Sequence, residues 1–135
     1  MNIIITLPQN LWERIVTGEK TIELRKTTPK NFNCATDKCY VILKGTHILA
    51  GWIYLDSIQT KPKTEPITEA ITACITVPRI WIDNYLANSY KYSLWYIRTH
   101  VEYYDIDDAW ELFKINTNPQ SYIYTELDIK YTTLP

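Results

Sequence analysis

The chain has 135 residues, 46% apolar and 21% charged, which fits one folded domain with its own core and excludes a disordered chain. Only three are glycine, and no G-x-G-x-x-G or Walker pattern occurs, which excludes nucleotide-binding enzymes of those two types. The net charge of −1 is uneven: residues 1–63 carry nine Lys/Arg against five Asp/Glu (+4), and residues 64–135 carry five against ten (−5), so a local basic face is compatible with a near-neutral chain.

The N-terminal Met1-Asn2-Ile3-Ile4-Ile5 lacks a basic flank, so it reads as a strand over 3–6 and not as a targeting segment. Pro8 suits a first helical turn, Leu11, Trp12, Ile15 and Val16 recur at helical spacing, and Gly18 stands just past the end. This predicts a helix over 8–17. Ile22 and Leu24 then alternate with Thr21, Glu23 and Arg25, the period of a half-buried strand. Residues 27–38 are polar and contain Pro29, a loop. Strands over 40–44 and 48–58 flank Gly45-Thr46 as a hairpin, and 60–66 is a Lys/Pro/Thr connection.

Residues 67–75 predict a helix that Pro78 ends, and 79–86 a second one with Trp81, Ile82 and Tyr85 on one face. A long strand over 94–104 follows, then a short acidic helix over 107–113 with Asp107 or Asp108 near its cap. Extended segments over 119–126 and 127–131 complete the chain. Five or six strands with three or four short helices predict a small α+β domain over 1–135, built on a curled sheet or barrel.

Cys34, Cys39 and Cys74 are odd in number and no signal peptide precedes them, which suits free thiols in a reducing compartment, the cytoplasm. Cys34 and Cys39 have no second C-x-x-C and no nearby His, and His47 and His100 are isolated, so no metal and no cofactor are expected. No stretch approaches the length of a membrane span.

The chemically distinct segment is Gly18-Glu19-Lys20-Thr21-Ile22-Glu23-Leu24-Arg25. Glu23 and Arg25 share a strand face and can hold each other, while Lys20, at the helix–strand corner, and Arg25 offer donors to a phosphate or carbonyl. By spacing alone the segment also fits a solvated edge strand. Lys20 beside Glu23 suits a fixed cation better than a base, because the carboxylate favours the charged amine.

The spacing Gly18-x-Lys20-x-x-Glu23-x-Arg25 resembles the G-x-K-x-x-E-x-R signature of the ASCH family, within the PUA-like superfamily. Its surroundings resemble the family too. They are the helix with Leu11-Trp12-Glu13-Arg14-Ile15, the strand Tyr40-Val41-Ile42-Leu43-Lys44, the strand Gly51-Trp52-Ile53-Tyr54-Leu55, and Pro119-Gln120-Ser121-Tyr122. The likeness runs from about Leu7 to Tyr124, with 60–89 matching only in the order of elements.

This resemblance implies a PUA-like β-barrel of five or six strands, helices packed around it, and a cleft lined by the signature. It implies an RNA or nucleotide-like ligand held by Lys20, Glu23 and Arg25, with Tyr40, Lys44, Gln120, Ser121 and Tyr122 around it. Some family members resemble amidohydrolases acting on acetylcytidine, and ribonuclease activity has been proposed for others. The hydrolase members use a Lys, a Thr and a Glu, and their Thr sits where this chain has Glu23. A catalytic set of Lys20 with Thr21 or Glu23 is therefore the alternative, with Glu102 the only carboxylate on the 94–104 strand as a further acid. A protein-interaction module is the third reading, supported by the −5 half and its cluster Asp105, Asp107, Asp108 and Glu111. Most aromatics between Trp81 and Tyr104 are expected in the core.

Overall fold

Strand β1 (Asn2–Leu7) carries the unbroken apolar run Ile3-Ile4-Ile5 because both of its faces are covered. Ile3, Ile5 and Leu7 enter one cluster with Trp12 and Ile15 of helix α1 (Gln9–Val16), while Ile4 enters another on the opposite face. The computed structural model describes residues 1–103, 106 and 108–130. After α1, Gly18 takes the left-handed φ of 83° that turns the chain into β2 (Ile22–Arg25). The hairpin β3 (Cys39–Leu43) and β4 (Leu49–Pro62) follows, then α2 (Glu69–Ile75), α3 (Arg79–Tyr85), β5 (Lys91–Glu102), α4 (Ala109–Phe113) and β6 (Ile123–Thr125).

These strands form one mixed sheet in the order β2-β5-β4-β3-β1-β6. The β1–β3 pair is parallel and the other pairs are antiparallel. The sheet is open, with β2 and β6 at its edges, whereas the family resemblance implies a barrel. It is nevertheless strongly curled. Arg25 on edge strand β2 donates through Nη2 to the Thr6 carbonyl of β1 (3.1 Å) and through Nη1 to the Ser121 carbonyl ahead of β6 (3.0 Å). A side chain spans the gap that a strand ladder would close.

The inner face carries Ile5, Val41, Ile53, Leu55 and Trp95 under α1. On the outer face of β2 and β5, Ile22, Leu24, Tyr92 and Leu94 meet Ile75, Ile82 and Leu86 of the α2–α3 region. On the outer face of β1, β3 and β4, Ile4, Tyr40, Ile42, Leu49 and Trp52 meet Ala109 of α4 and its flanking chain. Gly51 marks the tightest approach: a Cβ there would lie 1.9 Å from the Val101 carbonyl oxygen.

Several boundaries differ from the sequence expectation for physical reasons. The Lys/Pro-rich stretch to Pro62 continues β4, because Lys61 and Pro62 still pair with Tyr92 and Lys91. Helix α2 begins later, at Glu69, where the Thr68 hydroxyl accepts from the Ile71 N–H, and it ends in left-handed Thr76, before Pro78. Asp108 is the residue that caps α4, accepting from the Glu111 N–H; Asp107 lies outside the described residues. So do Tyr104, Asp105 and Tyr131, on which parts of the expected strands and acidic cluster fell. Residues 127–130 are not a strand: they cross Lys38 and Tyr40, whose side chains bind their backbone. Strand β2 is buried on both faces, so its charged positions do not face solvent. Among the described residues, no helix is long and apolar enough to cross a membrane.

Candidate functional site

The corner between α1 and β2 places Lys20 in the interior, 1% exposed. Its Nζ has three acceptors: the Ile22 carbonyl (2.8 Å), the Ile75 carbonyl at the end of α2 (2.8 Å) and Glu23 Oε1 (3.2 Å). Three acceptors require three donors, so Lys20 is an ammonium here. Burial pulls its pKa below the ordinary lysine value, and the Glu23 carboxylate opposes that pull.

Glu23 is held from the other side by Arg25, whose Nε and Nη2 both reach Oε2 at 2.8 Å. Burial alone would raise the Glu23 pKa; Arg25 and then Lys20 outweigh it and hold the carboxyl below its usual value. Arg25 is shifted up: burial pulls it down and Glu23 more than compensates. Its guanidinium also lies over the Trp95 ring, 5.7 Å from the centroid. The cluster carries two cations and one anion.

This cluster lines a cavity of about 410 Å³. The other walls are Thr6 to Pro8 and Leu11, the β3–β4 turn at Lys44-Gly45, Ile75 and Val77, Trp81 and Tyr85 of α3, and Asn118 to Gln120. Its charged lining residues are Lys20, Arg25 and Lys44 against Glu23, three to one, so the cavity favours an anion although the chain is net negative. Trp81 is 49% exposed and stacks on Tyr85, with centroids 5.1 Å apart and planes at 19°. Lys26 Nζ lies 4.8 Å from the Tyr85 ring centre. A deep charged cluster and a half-exposed aromatic stack thus border one space.

Three solved structures of one protein share this architecture. The ASCH protein from Zymomonas mobilis superposes with TM-score 0.76 at 19% identity, covering 93% of this chain and 87% of that one. Its serine-to-alanine variant gives 0.77 at 17%, with coverages of 93% and 88%. Its tyrosine-to-phenylalanine variant gives 0.75 at 19%, with coverages of 93% and 90%. The fold is that of an ASCH domain. No protein-family model matches the chain, and no curated protein matches it.

On the ASCH fold the residues singled out from the sequence separate into two groups. Lys20, Glu23, Arg25, Lys44 and Gln120 line the same cavity. Ser121 stands beside it, its carbonyl on Arg25 and its hydroxyl 3.0 Å from Thr27 Oγ1. Tyr40 is elsewhere: it is fully buried on the outer face of β3, against Trp52 and Phe113. The reason is register, since Tyr40 pairs with Ile4, whose side chain faces outward. Tyr122 packs on the inner cluster and against Tyr124, away from the cavity lining. Thr21 is exposed and does not line the cavity, and its backbone joins Cys74 and Ile97. Glu102 sits at the far end of β5, opposite Gly51.

Trp81, Tyr85, Asn118, Ile75 and Val77 also line the cavity, and none of them belongs to the signature or to its flanking motifs. The core expectation holds for Trp95 but fails for Trp81. A signal was present: Ile82 and Leu86, four apart, already make a sufficient seam for a short helix, which leaves Trp81 and Tyr85 as a second seam beside it. Cys34, Cys39 and Cys74 are free thiols, and among the described residues no group of three or more His, Cys, Asp or Glu lies close enough to hold a metal ion.

Proposed function

We propose that residues 1–135 act as one ASCH-type domain that binds RNA, or a modified nucleotide, with a base or phosphate entering the cavity at Lys20, Glu23 and Arg25. The observation that carries this reading is the buried Lys20–Glu23–Arg25 cluster facing the same space as the half-exposed Trp81–Tyr85 stack. The volume falls in the range of small-ligand pockets, and the excess of cations suits a phosphate-bearing ligand. A π face beside a basic pocket is the combination that single-stranded nucleic acid uses. Free thiols support a reducing, cytoplasmic setting.

A hydrolase working through Lys20 with Thr21 or Glu23 has less support. Thr21 does not line the cavity, the Lys20 ammonium has no lone pair with which to take a proton, and the Glu23 carboxylate is held by Lys20 and Arg25. A protein-binding role rests on acidic residues partly outside the described chain and has no specific contact to favour it.

The test is fluorescence anisotropy with a labelled single-stranded RNA at low and moderate salt. Trp81→Ala is the informative variant, because Trp81 is a surface residue and its loss leaves the buried cluster intact. Binding should weaken with salt and weaken about tenfold further in Trp81→Ala. Salt-independent binding, or equal affinity of wild type and Trp81→Ala, would overturn the reading.

A further inference from the structure

The β3–β4 turn that supplies Lys44 and Gly45 to the cavity continues into His47, whose side chain is 48% exposed. The His47 ring lies flat on Trp110 of α4, with centroids 3.7 Å apart and planes at 12°. Its orientation is fixed from several sides. Nδ1 is 3.3 Å from Asp108 Oδ1, and the His47 carbonyl accepts from the Ala109 N–H at 2.7 Å. Trp110 Nε1 donates to Asn118 Oδ1 (2.6 Å), and Asn118 Nδ2 donates to the Thr46 carbonyl (2.9 Å). Asn118 itself lines the cavity, so this network ties the turn, α4 and the cavity wall into one unit.

One face of the imidazole is covered by Trp110, the side chain as a whole is about half exposed, and His47 stands two residues beyond Gly45, which lines the cavity with Lys44 and Asn118. An exposed ring held in one orientation loses little entropy on stacking, which is what a base platform requires. The geometry points to His47 as a second nucleobase platform, so that the protein takes a single strand of at least two nucleotides: one at the cavity, the next stacked on His47 beyond Lys44. This inference rests on the nucleic-acid reading of the cavity and extends it from a nucleotide to a strand.

The test compares a labelled hexanucleotide RNA, by anisotropy, with nucleoside 5′-monophosphates as competitors, for wild type, His47→Ala, His47→Phe and Trp81→Ala. The hexanucleotide should bind at least about tenfold more tightly than any monophosphate. His47→Ala should lose most of that difference while the monophosphates compete as before, and His47→Phe, which keeps a ring but no Asp108 contact, should restore it. All four proteins should melt within a few degrees of one another. Unchanged hexanucleotide affinity in His47→Ala, or failure of His47→Phe to rescue, overturns the platform. If Trp81→Ala weakens binding and His47→Ala does not, the cavity reading stands and this inference falls. If neither hexanucleotide nor monophosphate binds, both fall.

Discussion

Lys20 is the residue on which the site and the fold depend together. Its ammonium is shared by β2, Glu23 and the last turn of α2, so removing it leaves the Ile75 carbonyl and half of a buried carboxylate without a donor. Breaking one partner out of a buried ion pair costs about 3–5 kcal/mol. Lys20→Met should therefore lower the stability measured by urea unfolding by about that amount, and loss of ligand binding in such a variant reports folding as well as contact. The signature spacing made Lys20, Glu23 and Arg25 legible as a group, and the preference for a fixed cation over a base follows from Glu23 alone. That the strand carrying them is buried on both faces was not legible, because alternating charge looks the same on a solvated edge as around an internal ion cluster. Tyr40 shows the complementary difficulty. A Tyr in a strand faces one side or the other according to register, and the parallel pairing with Ile4 is a long-range fact.

At the scale of elements, the segment 127–130 is held by side chains and not by a ladder. Lys38 Nζ binds Asp128 Oδ1 (2.6 Å) and the Ile129 carbonyl, and the Tyr40 hydroxyl accepts from the Ile129 N–H (2.8 Å) while donating to the Leu127 carbonyl. Hydrogen bonds from Lys130 and Lys38 hold the Asp128 carboxyl down at about 2. Its folded pKa is depressed, so its contribution to stability is present in full above the ordinary carboxylate range near 4 and is lost as pH falls from there through about 2. The difference in thermal stability between wild type and Asp128→Asn should accordingly be full at pH 6 and have shrunk to a small part of that by pH 2; a difference as large at pH 2 as at pH 6 would show that the contact is not electrostatic. The sequence reads 127–131 as extended or strand-like; over 127–130 the structure holds the backbone by these side-chain contacts, which join it to residues about 90 positions away and leave no local pattern. Helix α3 was legible as a helix but not in its orientation, since two adjacent seams were available and packing chose Ile82 and Leu86.

Across the whole molecule, Arg25 is the link that keeps the curled sheet curled. It joins β2 to β1 and to the chain ahead of β6, elements at opposite ends of the strand order, while gripping Glu23. Lysine cannot reproduce a planar fork that serves a carboxylate and two carbonyls at once. Arg25→Lys should destabilise by about 3 kcal/mol in urea unfolding, and it should weaken RNA binding more than Lys44→Ala does, because it opens the cavity wall as well as removing a guanidinium. An Arg25→Lys protein as stable as wild type would refute this bridging role. The sequence by itself determined the α+β class, the helix–Gly–strand corner, the β3–β4 hairpin and the three charged residues that cluster, because each depends on periodicity, turn chemistry or spacing within about ten residues. Only the tertiary structure decided that the sheet stays open, that Trp81 and Asn118 border the cavity, that Tyr40 does not, and that His47 lies on Trp110. Those outcomes depend on register and on contacts between distant segments, such as Arg25 with Ser121, 96 positions apart, and no local pattern encodes which distant partner a residue will meet.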